Sequence, residues 1–174
     1  MTLITVSGLP GSGTTTLASR LARRLEFQHH STGQVFRQMA ADRGLSIEEF
    51  GALVDATPQI DRDLDAEMVR TVKATGSCIA EGRLTGMLFR DADLKILCYA
   101  PDDVRAARVL SRSGETKEQM HRREVHEMRR HRDTYGFDST MISLYDICIN
   151  TERYGPDRTE ALARWALAAG RCPR

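Results

Sequence analysis

Near the start of the chain, Gly8-Leu9-Pro10-Gly11-Ser12-Gly13-Thr14-Thr15 carries glycines at the spacing of a phosphate-binding Walker A loop. Glycine at these points lets the backbone turn tightly and aim successive N–H groups at one spot. A nucleotide's β-phosphate is then cradled by donors and by the positive end of the following helix. Thr15 takes the hydroxyl position that ligates Mg²⁺. Thr14 stands where such loops hold a lysine, so a point charge is missing beside the β- and γ-phosphates. Arg105, Arg108, Arg112, Arg122, Arg123, Arg129, Arg130 and Arg132 crowd two consecutive helical stretches further on. They are either a solvated basic face or part of a lid whose guanidinium groups neutralise phosphates during transfer.

A second group is Ala80-Glu81-Gly82-Arg83. It follows an apolar run, which puts Glu81 at the carboxyl end of a buried strand and beside the phosphate loop. The carboxylate suits support of Mg²⁺ from behind. Arg83 has the planar fork to grip a phosphate through two hydrogen bonds, and Arg37 offers a second grip. A structural salt bridge is the competing account of either arginine.

The elements that must hold these groups are legible as alternating strands and helices. Residues 3–7 read as a strand, and 15–25 as a helix with Leu17, Leu21 and Leu25 at helical spacing. A helix begins at Ser31 or Thr32 and runs to Arg43. Ser46 with Glu49 forms a capping box for the next, and Pro58 opens another that reaches about Thr75. Short apolar runs at 77–80, 95–100 and 147–150 are buried parallel strands. Helices follow over 102–113 and 117–135, divided at Gly114. A closing helix over 157–169 carries Leu162, Trp165 and Ala169 on one side. Such alternation, with four strands legible, predicts an α/β three-layer P-loop NTPase fold, taken to be a parallel five-stranded sheet with helices on both faces. Residues 1–174 form a single domain, with a helical acceptor-binding segment at about 32–75 and a lid at about 112–132.

Composition bounds the rest. A chain of 174 residues with 41% hydrophobic and 28% charged content buries a core without disulfides or a structural metal. The formal net charge of +1, without aromatics interleaved among the basic residues, argues against nucleic acid or an anionic membrane as partner. Cys78, Cys98, Cys148 and Cys172 lack zinc spacing and are expected as buried, reduced thiols. His29-His30 reads as a strand end or surface feature and is given no role. No apolar run is long enough to span a bilayer, and the expectation is a cytoplasmic monomer.

Taken together, several landmarks resemble the short archaeal-type cytidylate kinases, a branch of the P-loop nucleoside monophosphate kinases. They are Gly11-Ser12-Gly13-Thr14-Thr15-Thr16, Ser31-Thr32-Gly33-Gln34-Val35-Phe36-Arg37, Pro58-Gln59-Ile60-Asp61-Arg62, Glu81-Gly82-Arg83-Leu84, Tyr135-Gly136-Phe137-Asp138 and Asn150-Thr151. The resemblance runs nearly end to end, and Thr14 is similar to the loop of that branch. It implies ATP as donor on Gly8, Pro10, Gly11, Ser12, Gly13, Thr14, Thr15 and Thr16, with Asn150 near the adenine. It implies Mg²⁺ at Thr15 and Glu81, and CMP or dCMP as acceptor beside Ser31, Arg37, Arg83, Arg123, Glu127 and Arg130. Arg83, Arg112 and Arg123 would carry the transfer. Positions 123, 127 and 130 share one helix face, and Glu127 has the chemistry to accept from a cytosine amino group. Gln34 departs from the acidic residue expected there. Two alternatives stay open: a kinase for another nucleoside monophosphate or a small metabolite, and a non-catalytic nucleotide-binding switch, to which the missing lysine points.

Overall fold

Strand β1 (Leu3–Ser7) is buried on both faces, Ile4 and Val6 on one and Thr5 and Ser7 on the other, so it must lie between neighbours and under cover on both sides. In the computed structural model, which describes residues 1–136, 138 and 141–170, it is the centre of a five-stranded parallel sheet. The remaining strands are β2 (Gln28–Ser31), β3 (Cys78–Glu81), β4 (Leu94–Tyr99) and β5 (Ile147–Asn150), in the order β2-β3-β1-β4-β5. Register puts Val6 opposite Glu81 and Ser31 opposite Glu81 on the other side, so the carboxyl ends of three strands meet. The order reverses at β1, and ligand sites form above such a switch.

One face of the sheet is covered by α1 (Thr14–Leu25) and α8 (Thr151–Ala169), through Leu17, Leu21 and Ala163 on Ile4, Ile79 and Ile96. The opposite face is covered by α4 (Gln59–Ala74), through Met68 and Val72 on Cys78 and Ala80. Helices α2 (Thr32–Asp42) and α3 (Ile47–Ala56) stand off the sheet around Phe50, Val54 and Ala40, with Phe36 edge-on to Phe50. A short turn of helix, α5 (Thr85–Leu88), follows β3. Helices α6 (Asp102–Ser113) and α7 (Lys117–Tyr135) form a hairpin packed through Ala106, Val109 and Met120. Gly114 in the left-handed region ends α6, and Thr116 with Gln119 makes the capping box that opens α7.

Several expectations need correction. Helix α8 begins at Thr151, six residues before the expected start at Asp157. Asn150 caps it, and Gly155 (φ 64°, ψ 176°) breaks the helical path just before Pro156. Trp165 is 69% exposed, because the face against the sheet is formed by Leu162, Ala163, Ala166 and Leu167 instead. Cys78 and Cys98 are buried, whereas Cys148 is exposed near the sheet edge. Cys172 and the landmark residue Phe137 lie outside the described residues. His29 and His30 lie within β2 rather than at its end.

At the far end of α7, Tyr135 donates a 2.6 Å hydrogen bond to the buried carboxylate of Asp65 on α4. Burial pushes that carboxyl up from 3.8 to about 6; the Tyr135 hydroxyl opposes the rise and the nearby Asp61 adds to it. Between those values the folded chain holds a proton that the unfolded chain has released. Stability therefore falls as pH rises through the window, by about 3 kcal/mol once it is passed. Asp65→Asn keeps an acceptor for Tyr135 and removes the ionisation. Its thermal midpoint should exceed that of the native chain at pH 7 to 8 and converge with it near pH 4, as read by unfolding across that range.

Candidate active site above the carboxyl ends of the strands

Residues 8–13 connect β1 to α1 as a closely packed loop. Gly11 (φ 75°) and Gly13 (φ 90°) occupy the left-handed region. A Cβ on Gly11 would also fall 2.4 Å from the Arg105 carbonyl oxygen, so glycine is required there twice over. The first turn of α1 contains no acidic residue, and Gly13 supplies no side-chain cap, which leaves the positive helix end for an anion. Ser12 Oγ is buried without a hydrogen-bond partner among the described residues and lines a cavity of about 190 Å³ with Gly8, Leu9 and Arg83. Thr16 is exposed on the same turn.

Glu81 is 6% exposed and gathers three donors. Its Oε1 accepts from Thr15 Oγ1 at 2.5 Å and Thr14 Oγ1 at 3.0 Å, and its Oε2 accepts from His29 Nε2 at 2.9 Å. Burial alone would raise this carboxyl. The hydrogen bonds from His29, Thr15 and Thr14, with the attraction of His29, outweigh burial and hold it below the ordinary value. An ionised carboxylate beside a threonine hydroxyl is an all-oxygen donor set. The Thr15 proton is directed to Glu81, so its lone pairs remain for a hard cation, and these two residues could hold Mg²⁺. Thr14, in the lysine position, turns its hydroxyl to the same carboxylate.

The arginines divide into three groups. Arg105 is buried, donates to the Pro10 carbonyl at 3.1 Å and pairs with Glu124 at 2.5 Å and Asp102 at 2.8 Å. Arg108 donates to the Gly11 carbonyl at 3.1 Å and Thr151 Oγ1 at 2.9 Å, while Thr151 donates to the Ser12 carbonyl at 2.8 Å. These two arginines brace the loop from outside, and buried charges used in this way are not free to follow a phosphate. Spacing gave no sign of that role, because a loop carbonyl has no sequence signature.

In the second group, Arg123 and Arg130 line a cleft of about 420 Å³ between α2–α3 and α6–α7 with Phe36, Asp55, Glu115 and Glu127, while Arg83 lines the loop's cavity and meets the cleft through Glu127. Arg83 forms an ion pair with Glu127. Burial first, and then Arg123, lower the Arg83 guanidinium to about 9, with Glu124 opposing and Arg130 and Arg105 adding, so it stays charged at neutral pH. Arg123 binds Glu115 through two hydrogen bonds of 2.9 and 2.8 Å and lies 3.5 Å from Glu127. Arg130 is held by Asp55 at 2.7 Å and Asp61 at 2.9 Å, which ties α7 to α3 and α4. Glu115 and Asp55 were not singled out in the sequence, and His29 was noted there but given no role. Glu115 alone carried a signal, since it directly precedes the capping box of α7.

The third group is Arg37 and Arg112, neither of which has an ion pair among the described residues. Burial and then Arg112 lower the Arg37 guanidinium, Glu81 opposes them, and Arg123 adds to the lowering. Arg37 thus feels the like charge of Arg112 and the opposite charge of Glu81, and an incoming dianion would relieve the repulsion. Ser31 is buried and caps α2 by accepting from the Gln34 N–H at 3.3 Å. Asn150 Oδ1 accepts from the N–H groups of Glu152 and Arg153, both at 3.1 Å, so its side-chain acceptor is spent on the α8 cap.

The sequence profile of the cytidylate kinase-like family matches residues 3–153. Cytidylate kinase of Pyrococcus furiosus is 41% identical over 169 residues, covering 95% of this chain and 88% of that one. The Halobacterium salinarum cytidylate kinase is 38% identical over 177 residues, covering 99% and 92%. The crystal structure of shikimate kinase from Acinetobacter baumannii superposes with a TM-score of 0.58 at 14% identity, covering 97% and 92% of the two chains, and shares the fold. Loop, sheet order and relatives agree: the chain belongs to the cytidylate kinase-like family.

Proposed function

We propose that the chain transfers the γ-phosphoryl group of ATP to CMP or dCMP, releasing ADP and CDP or dCDP. The observation that carries this reading is the Thr15–Glu81 pair beside the phosphate loop, with Arg83 lining the loop's cavity and pairing with Glu127 of the cleft. The phosphate of a nucleoside monophosphate is already anionic, so no general base is needed. Positioning and charge neutralisation dominate such a transfer.

Loop N–H groups at 8–15 hold the donor's β-phosphate, and Thr15 with Glu81 would hold Mg²⁺. The metal, when bound, would supply charge neutralisation for the donor's phosphates. Arg37 and Arg83 orient the acceptor phosphate in line with the γ-phosphate, next to Ser31. Arg112 stands at the end of α6, exposed and unspent, and takes the part of the lysine that Thr14 lacks. Arg123, Glu127 and Arg130 form the acceptor pocket, with Glu127 accepting from the cytosine amino group. Helices over 32–75 carry the acceptor, and the segment 112–132 closes as a lid that excludes water. The proposed state is a monomer in the cytoplasm. No described helix is long and apolar enough to cross a membrane.

Coupled ADP release on adding CMP, dCMP, UMP or AMP tests the assignment. CMP and dCMP should drive turnover, and UMP and AMP should not. ATP binding without acceptor-dependent ADP release would replace the enzyme with a nucleotide-binding switch. Arg112→Met is expected to lower kcat about 10²-fold with ATP affinity nearly unchanged, since its guanidinium matters most as transition-state charge develops. Steady-state kinetics alongside calorimetric ATP titration checks that split.

A further inference from the structure

We infer that His29 is a positioning residue, which fixes the Glu81 carboxylate so that Thr15 presents its lone pairs to the metal of bound ATP. Parallel register places His29 opposite Ile79 and Ser31 opposite Glu81. Side chains two apart on a strand share a face, so His29 is the diagonal neighbour of Glu81 on the face covered by α1. His30, one residue on, points to the other face and bonds Thr75 Oγ1 at 3.1 Å beyond the end of α4.

Across the diagonal, His29 Nε2 lies 2.9 Å from Glu81 Oε2, with only 19% and 8% of the two side chains exposed. An ionised carboxylate only accepts, so Nε2 carries the proton and donates it. Nδ1 then faces Ser19 Oγ at 3.5 Å. The terminal torsion of a glutamate is broad and does not hold itself. With Oε2 pinned by His29, Oε1 stays where both Thr14 and Thr15 donate to it. Without the imidazole, the carboxylate is free to turn, the Thr15 proton loses its fixed acceptor, and the hydroxyl no longer offers its lone pairs in one direction. The lysine-free loop sharpens this dependence, because Thr14 brings a hydroxyl to Glu81 where an ammonium would have brought a charge.

The inference rests on the proposed Thr15–Glu81 metal site, and the test separates the two. ATP binding is measured by titration calorimetry across a Mg²⁺ series and in EDTA, for the native chain, His29→Leu, His29→Gln and Glu81→Ala. His29→Leu should raise the Mg²⁺ concentration needed for tight ATP binding about tenfold, the scale of losing a group that orients a metal ligand. Metal-free ATP affinity should stay within about twofold, and His29→Gln, which keeps an N–H donor, should recover most of the Mg²⁺ response. A native Mg²⁺ response in His29→Leu, or an equal loss of metal-free affinity, overturns the inference. If Glu81→Ala also leaves the Mg²⁺ response intact, the metal-site reading has failed. If Glu81→Ala loses the response and His29→Leu keeps it, only the role of His29 has failed.

Discussion

Arg83→Ala should reduce kcat by at least about 10³-fold, roughly 4 kcal/mol of transition-state stabilisation, while calorimetric ATP affinity stays within a few-fold of native. The reason is location. Arg83 follows the buried end of β3, two residues from Glu81, and its guanidinium already sits in a closed environment where a hydrogen-bonded charge is worth more than in water. An acceptor phosphate placed there would meet a planar fork whose geometry it matches, and three of the other arginines cannot be redirected to it. Arg105 and Arg130 are locked by carboxylates, and Arg108 is locked by the loop. Arg83→Lys keeps the charge and lets Glu127 retain a partner, so it controls for damage to the fold. It should melt near the native temperature and still lose about 10²-fold in kcat. Turnover within tenfold of native in the alanine variant removes Arg83 from the chemistry.

The same comparison shows what the sequence could and could not reveal. The loop was legible because its function is a backbone geometry, and glycine spacing encodes backbone geometry directly. The span of α7 was legible for a similar reason, since Gly114 before it and Gly136 after it act locally. Strand β2 carries no apolar run: Gln28-His29-His30-Ser31 pairs only with β3 at the sheet edge, where burial asks less of side chains. Trp165 misled for the opposite reason. A large aromatic implies burial, yet the small side chains Ala163 and Ala166 let α8 approach the sheet and leave the indole outside.

The partners of the arginines were the least legible part of the site. Eight guanidinium groups on two helices look alike in sequence. Five of them divide into loop braces, cleft walls and an unspent charge, a division that depends on which oxygen each one meets across the fold. Asp55 and Asp61 reach Arg130 from α3 and α4, some seventy residues away, and no spacing rule connects them. Thr14 is a related case. Its replacement of lysine was plain, but its hydrogen bond to Glu81 required β3 to be placed beside α1.

Glu127→Gln should abolish most discrimination between cytidine and uridine monophosphates, lowering the ratio of their kcat/KM values by about 10³. Glu127 is engaged by Arg83 and lies 3.5 Å from Arg123. On the proposed function, an arriving phosphate dianion would offer Arg83 a stronger partner, and the exchange would free the carboxylate to accept from the amino group of cytosine. Base and phosphate would thereby be read by one swap of ion pairs. Uridine can supply the phosphate, but its ring carbonyl then meets the carboxylate, leaving two acceptors face to face and unpaired. A glutamine can rotate its amide to donate to that carbonyl, so UMP turnover should rise as CMP turnover falls. The variant should also melt lower without ligand, because Arg83 loses a charged partner in a buried setting. Parallel kinetics with CMP and UMP decide the matter: a variant as selective as the native chain would show that the base is read elsewhere in the cleft.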